Sequence, residues 1–124
     1  NSIDVWGDGE QTRSFMYIDD CINGTKMIFN SKSTDVYNLG SDEQVSINQM
    51  IDMIENIAEY KVKRNYQLDK PKGVRGRSSD NQKIKKDFNW GPNIKLYDGL
   101  KITYEWIYHQ IVSGENSQKF TRGY

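Results

Sequence analysis

The segment from Ser46 to Glu59 constrains the fold more than any other. Ile47, Met50, Ile51, Ile54, Ile57 and Ala58 recur at helical spacing, while Asn48, Gln49, Asp52, Glu55 and Glu59 fill the remaining positions. This pattern predicts an amphipathic helix begun by Ser46, with the apolar stripe in a core and the polar residues facing outward.

The flanking segments read as an α/β chain, helix-rich with short strands. Ile3-Asp4-Val5-Trp6 alternates, Gly7-Asp8-Gly9 supplies turn chemistry, and Thr12 to Tyr17 resumes an extended pattern, so the opening reads as hairpin-like. Asp19 or Asp20 caps a helix through Cys21, Ile22, Thr25, Met27, Ile28 and Phe29. Val36 to Gly40 is a strand candidate between two helices. Arg64 to Leu68 reads as a second short strand, and Asp69 to Asp80, with Pro71, Gly73 and Gly76, reads as a long loop. A short helix over 81–88 buries Ile84 and Phe88, and Trp90-Gly91-Pro92 breaks the chain. Asp98 then caps a last helix to about Ser113, with a stripe of Leu100, Tyr104, Ile107 and Ile111 flanked by Ile102 and Trp106. Residues 1–113 are expected to form one domain and 114–124 a polar, frayed tail.

Composition narrows the function. Seventeen basic residues balance 17 acidic ones, so no general field draws the chain to nucleic acid or an anionic membrane. Mean hydropathy is −0.85, yet aromatic content is 12%, as expected of a thin core with some apolar surface meant for an absent neighbour. Cys21 is the single cysteine, and there is neither a secretory leader nor a run of ~20 apolar residues, so a cytoplasmic setting is expected. The start at Asn1, running at once into a strand-like segment, reads as a fragment.

Several residue patterns are set aside on physical grounds. His109 is the only histidine and lacks cysteine company, so no metal site is expected. Gly7 and Gly9 lack the third glycine and the strand and helix context of a phosphate loop, and read as a turn. Tyr97 and Lys101 match a Tyr-x-x-x-Lys spacing, but Tyr97 precedes the expected Asp98 cap and so falls outside the helix. Cys21 reads as structural. Asp19-Asp20 and Asp42-Glu43 each precede a helix, where carboxylates complement the macrodipole.

The string Trp6-Gly7-Asp8-Gly9-Glu10-Gln11-Thr12-Arg13-Ser14-Phe15-Met16-Tyr17-Ile18-Asp19-Asp20 resembles a signature of extended short-chain dehydrogenases/reductases acting on nucleotide sugars. Val36-Tyr37-Asn38-Leu39-Gly40-Ser41, Gly73-Val74-Arg75-Gly76-Arg77-Ser78-Ser79-Asp80-Asn81, Trp90-Gly91-Pro92 and Asp98-Gly99-Leu100 follow in that family's order. Within it, the Val-Arg-Gly-Arg-x-Ser-Asp-Asn stretch looks most like the GDP-mannose 3,5-epimerase subfamily.

The resemblance implies the carboxy-terminal, substrate-binding domain of an NAD-dependent epimerase, with GDP-mannose the favoured substrate and a homodimeric parent left open. The glycine fingerprint for NAD is absent from these 124 residues, so an amino-terminal Rossmann domain is expected to carry the cofactor and the catalytic Tyr/Lys pair. A diphosphate suits guanidinium donors. Arg13 and Arg75 are the first candidates and Arg77 the next, with Asp80 orienting either loop arginine. Trp6 is either a stacking surface for the base or core. Taken singly, each arginine reads sooner as a solvated surface residue, and it is the occurrence of three in matching motifs that reverses this. A 4,6-dehydratase, a decarboxylase and a non-catalytic nucleotide- or protein-binding module remain the alternatives.

Overall fold

The computed structural model describes residues 1–113, so the tail expected over 114–124 lies outside the described residues. The order is β1 (Ser2–Trp6), β2 (Thr12–Ser14), α1 (Ile18–Ser31), β3 (Gln44–Ser46), α2 (Ile47–Ala58), β4 (Lys63–Gln67), β5 (Gly76–Arg77), α3 (Gln82–Phe88) and α4 (Leu96–Val112). The architecture is mixed α/β.

The strands form two small sheets, and this overturns the hairpin. β1 runs parallel to β4, from Ser2 opposite Lys63 to Trp6 opposite Gln67, and the Gly7 amide extends that ladder to the Gln67 carbonyl at 2.8 Å. β2 lies in the other sheet, between antiparallel β3 and parallel β5. Gly7 and Gly9, at φ 85° and 75°, turn the chain from one sheet into the other instead of folding β1 onto β2.

Residues 36–40 are not a strand. Both edges of β2 are already taken, by β3 and β5, and Val36 stands 87% exposed. The strand of this region is Gln44–Ser46 instead.

α2 begins as the sequence requires. Ser46 and Gln49 form a reciprocal capping box, at 3.1 Å from the Gln49 amide to Ser46 Oγ and 2.8 Å from the Ser46 amide to Gln49 Oε1. Ile51 is buried on its inner face, but so is Glu55, expected to face outward. Glu55 stands one turn after Ile51 and therefore shares its face. Its carboxylate is compensated by the Val62 amide at 2.9 Å, Lys61 at 3.0 Å and Arg64 at 2.9 Å.

Two acidic residues cap elements other than those expected. The α1 N-cap is Tyr17, and Asp20 is buried, with Oδ2 accepting from the Asn93 and Ile94 amides at 2.9 and 2.8 Å. Glu43 accepts from the Leu96 amide at 3.1 Å, so α4 starts at Leu96 and not at the expected Asp98. Gly99 lets α4 approach α1, since a Cβ there would stand 3.2 Å from the Tyr17 ring.

The buried apolar residues are Val5, Val45, Ile51, Ile84 and Leu96, one each from β1, β3, α2, α3 and α4. The far half of the α4 stripe is open, with Ile102, Trp106 and Ile111 exposed. No described helix is long and apolar enough to cross a membrane.

Candidate functional site

The β2–β5 pairing carries the site. Arg13 stands opposite Arg77 in the parallel register, and the Thr12 amide donates to the Arg75 carbonyl at 2.8 Å. Neighbouring positions on adjacent strands project to one face, so the two side chains leave the sheet on the same side. A cleft of about 440 Å³ opens there, lined by Arg13, Ser14 and Arg77 together with Tyr37, Asn38, Leu39, Ser78 and Ser79.

The two arginines are held differently. Arg13 Nη1 donates to the carbonyls of Thr12 at 2.6 Å and Val74 at 2.9 Å, and Nη2 to that of Lys72 at 3.4 Å. Gly73 makes this wrap possible: its φ is 67°, and a Cβ there would lie 3.3 Å from Arg13 Nη2. Arg77 is exposed and forms no ion pair among the described residues. No carboxylate lines the cleft.

The rest of the lining comes from two loops stitched together. The Ser79 amide donates to the Ser41 carbonyl at 3.2 Å, Asn81 Nδ2 to the Gly40 carbonyl at 2.8 Å, and Asn38 Nδ2 to the Asp80 carbonyl at 3.2 Å. Gly40 permits that approach, since a Cβ would meet the Ser79 Cβ at 2.7 Å.

Three other expected site residues stand apart from this cleft. Arg75 Nη1 pairs with Asp8 Oδ2 at 3.0 Å, beside the Gly7–Gly9 turn. The Glu10 amide and then the Arg75 guanidinium hold the Asp8 carboxyl below its usual range. Asp80 orients neither arginine: its Oδ1 accepts from the Gln82 amide at 3.0 Å at the start of α3. Trp6 is 56% exposed at the end of β1 and is not among the buried residues of this domain.

The Tyr97–Lys101 pair needs a correction of its own. Both residues lie within α4, so the argument from helix geometry fails. The Tyr97 hydroxyl donates instead to Asn56 Oδ1 at 2.8 Å, tying α4 to α2. Sequence reasoning also passed over Gln11. It is 9% exposed, its Nε2 donates to the Trp6 carbonyl at 2.9 Å, and its Oε1 is buried without a partner among the described residues.

Among the described residues the positive-φ glycines belong to turns packed on side chains, Gly7 on Lys72, Gly9 on Asn48 and Gly73 on Arg13, and none of these three turns is open to a pyrophosphate. Nor does any group of three or more His, Cys, Asp and Glu among the described residues suit a metal ion.

A family model described as GDP-mannose 4,6 dehydratase matches residues 2–103. GDP-mannose 3,5-epimerase of Arabidopsis thaliana is 46% identical over 108 residues, which cover 87% of this chain and 28% of that protein. UDP-glucuronic acid 4-epimerase of Bacillus cereus, solved with UDP-glucuronic acid and NAD, superposes with a TM-score of 0.80 at 34% identity. The match covers 88% of this chain and 36% of that one. UDP-glucose 4-epimerase of Thermotoga maritima, solved with UDP-glucose, gives a TM-score of 0.83 at 28% identity, covering 90% and 36%. The chain therefore spans between 28% and 36% of the length of these three proteins.

Proposed function

This chain belongs to the extended short-chain dehydrogenase/reductase family of NAD-dependent nucleotide-sugar epimerases and dehydratases, and on that premise we propose that it forms the substrate-gripping part of an epimerase acting on GDP-mannose. NAD and the Tyr/Lys pair belong, on this reading, to an amino-terminal domain of the parent enzyme. The work of this chain is to bind the nucleotide and hold the sugar.

The single observation behind the reading is that Arg13 and Arg77 share one cleft with no carboxylate in its lining. A diphosphate carries about two negative charges, and an acid-free cleft with two guanidinium groups favours it strongly. Arg77 supplies open donors. Arg13, fixed by three carbonyls, supplies a placed charge and ties residues 72–74 to β2. The geometry favours Arg77 over Arg75 as the loop arginine, because Arg75 is already neutralised by Asp8.

Charge-assisted contacts contribute about 1.5–3 kcal/mol each, so Arg77→Ala in the full-length protein should weaken GDP-mannose binding roughly tenfold to a hundredfold, with NAD affinity unchanged. Isothermal titration measures both. Full GDP-mannose affinity in an Arg13→Ala/Arg77→Ala double variant would overturn the reading. A dehydratase parent is the second reading, supported by the description of the matching family model. Product analysis on GDP-mannose separates the two: an epimer supports the first, a 4-keto-6-deoxy sugar the second.

A further inference from the structure

Lys83 lies on α3, outside the cleft lining, yet it controls one of the cleft walls. Its Nζ donates to Asp35 Oδ2 at 2.8 Å and Asp87 Oδ2 at 3.0 Å, and stands 4.0 Å from the centre of the Tyr37 ring. The Tyr37 hydroxyl donates to Asp87 Oδ2 at 3.1 Å and lies 3.1 Å from Ser33 Oγ, while its ring meets that of Phe88 at 5.1 Å. Two carboxylates, one ring and one ammonium thus form a clasp between residues 33–37 and α3.

The clasp matters because of what it holds. Residues 35–39 belong to no strand, so no sheet ladder fixes their path. The bond from Asn38 Nδ2 to the Asp80 carbonyl and that from Asn81 Nδ2 to the Gly40 carbonyl secure the far end, and the Lys83 clasp secures the near end. The stretch so held contains Tyr37, Asn38 and Leu39, which line the same cleft as Arg13 and Arg77. Exposed ion pairs singly contribute little, but an ammonium shared by two carboxylates and an aromatic face orders all three partners at once.

We propose that Lys83 is a positioning residue for the nucleotide cleft: it clamps Asp35 and Tyr37 onto α3 and thereby sets the distance between the 37–39 wall and the two arginines. This rests on the reading of the cleft as a nucleotide site. Ile84, 1% exposed, is the buried apolar residue of α3 and is not part of the clasp.

The test uses the full-length protein and GDP as the titrated probe. Lys83→Met keeps the aliphatic stem and removes the ammonium. It should lower GDP affinity by about threefold to tenfold, raise the KM for the nucleotide sugar with kcat unchanged, and leave NAD affinity and the melting temperature near the wild type. Lys83→Arg should recover most of the loss. Asp35→Asn should shift GDP affinity in the same direction as Lys83→Met and provides a second arm if Lys83→Met folds poorly. Arg77→Ala is measured in parallel. If Arg77→Ala weakens GDP binding while Lys83→Met and Asp35→Asn do not, the clasp has no positioning role. If Arg77→Ala leaves GDP affinity intact, the nucleotide reading fails, and this inference falls with it.

Discussion

Arg64 and Arg77 show how differently two regions of one small chain use the same side chain. Arg64, on β4, has a side chain only 17% exposed, and its guanidinium meets Asp52, Glu55 and the Asn48 carbonyl. Arg77, on β5, is exposed beside a cleft with no carboxylate in its lining. A guanidinium neutralised in place is structural, whereas one facing an acid-free cleft is available to an anion. Sequence type does not separate them; the surrounding carboxylates do.

The largest effect expected from this contrast is on stability. Arg64→Leu leaves Glu55 with less compensation at a site only 5% exposed. Removing one partner of such a pair is strongly destabilising, so the melting temperature should fall by on the order of 5 °C or more, while GDP affinity of the folded protein stays unchanged. An Arg64→Leu variant with wild-type stability and weakened GDP binding would reverse the comparison.

A smaller, pH-dependent effect sharpens it. The Val62 amide, followed by Lys61 and Arg64, holds the Glu55 carboxyl down at about 2, from an ordinary value of 4.5. The unfolded chain therefore takes up this proton at higher pH than the folded one. The stability Glu55 contributes is fully present above its unfolded value and is lost as pH falls toward its folded one. Glu55→Gln should thus lower the melting temperature at about pH 6 and approach the wild type near pH 3. A constant gap between the two proteins across that window would remove Glu55 from the acid response.

Much of the frame was legible in the sequence, and the failures share one cause. α2 was readable because its signals are local: Ser46 and Gln49 cap it, and the isoleucines repeat at helical spacing. The hairpin was not, because β1 is paired by β4, some 60 positions along the chain, and no local pattern records that. The same holds for Asp20 and Glu43, which satisfy amides before and within α4 instead of capping the helices beside them. Residues 36–40 carry strand-like side chains, but they join neither sheet, and both sides of β2 are taken by β3 and β5. At the site, the motifs pointed to Arg13, Arg75 and Arg77 together. Only the β2–β5 register, with Asp8 placed against Arg75, distinguishes them.

That distinction yields the smallest expected effect and the most exacting check on the comparison. Arg75 belongs to neither class cleanly, since its side chain is 70% exposed like that of a ligand-binding arginine, yet it is paired with Asp8 like a structural one. Exposed pairs of this kind contribute little to folding, so Arg75→Ala should hardly move the melting temperature. Because its charge is already matched by Asp8, the variant should weaken GDP binding by less than about threefold, against tenfold or more for Arg77→Ala. Asp8→Asn tests the reason. If Asp8 holds Arg75 away from the nucleotide, the freed guanidinium should strengthen GDP binding slightly, and Asp8→Asn combined with Arg75→Ala should lose that gain. An Arg75→Ala loss equal to that of Arg77→Ala would mean that carboxylate neighbours do not decide which arginine serves the ligand, and the contrast drawn from Arg64 and Arg77 would no longer extend to the loop between them.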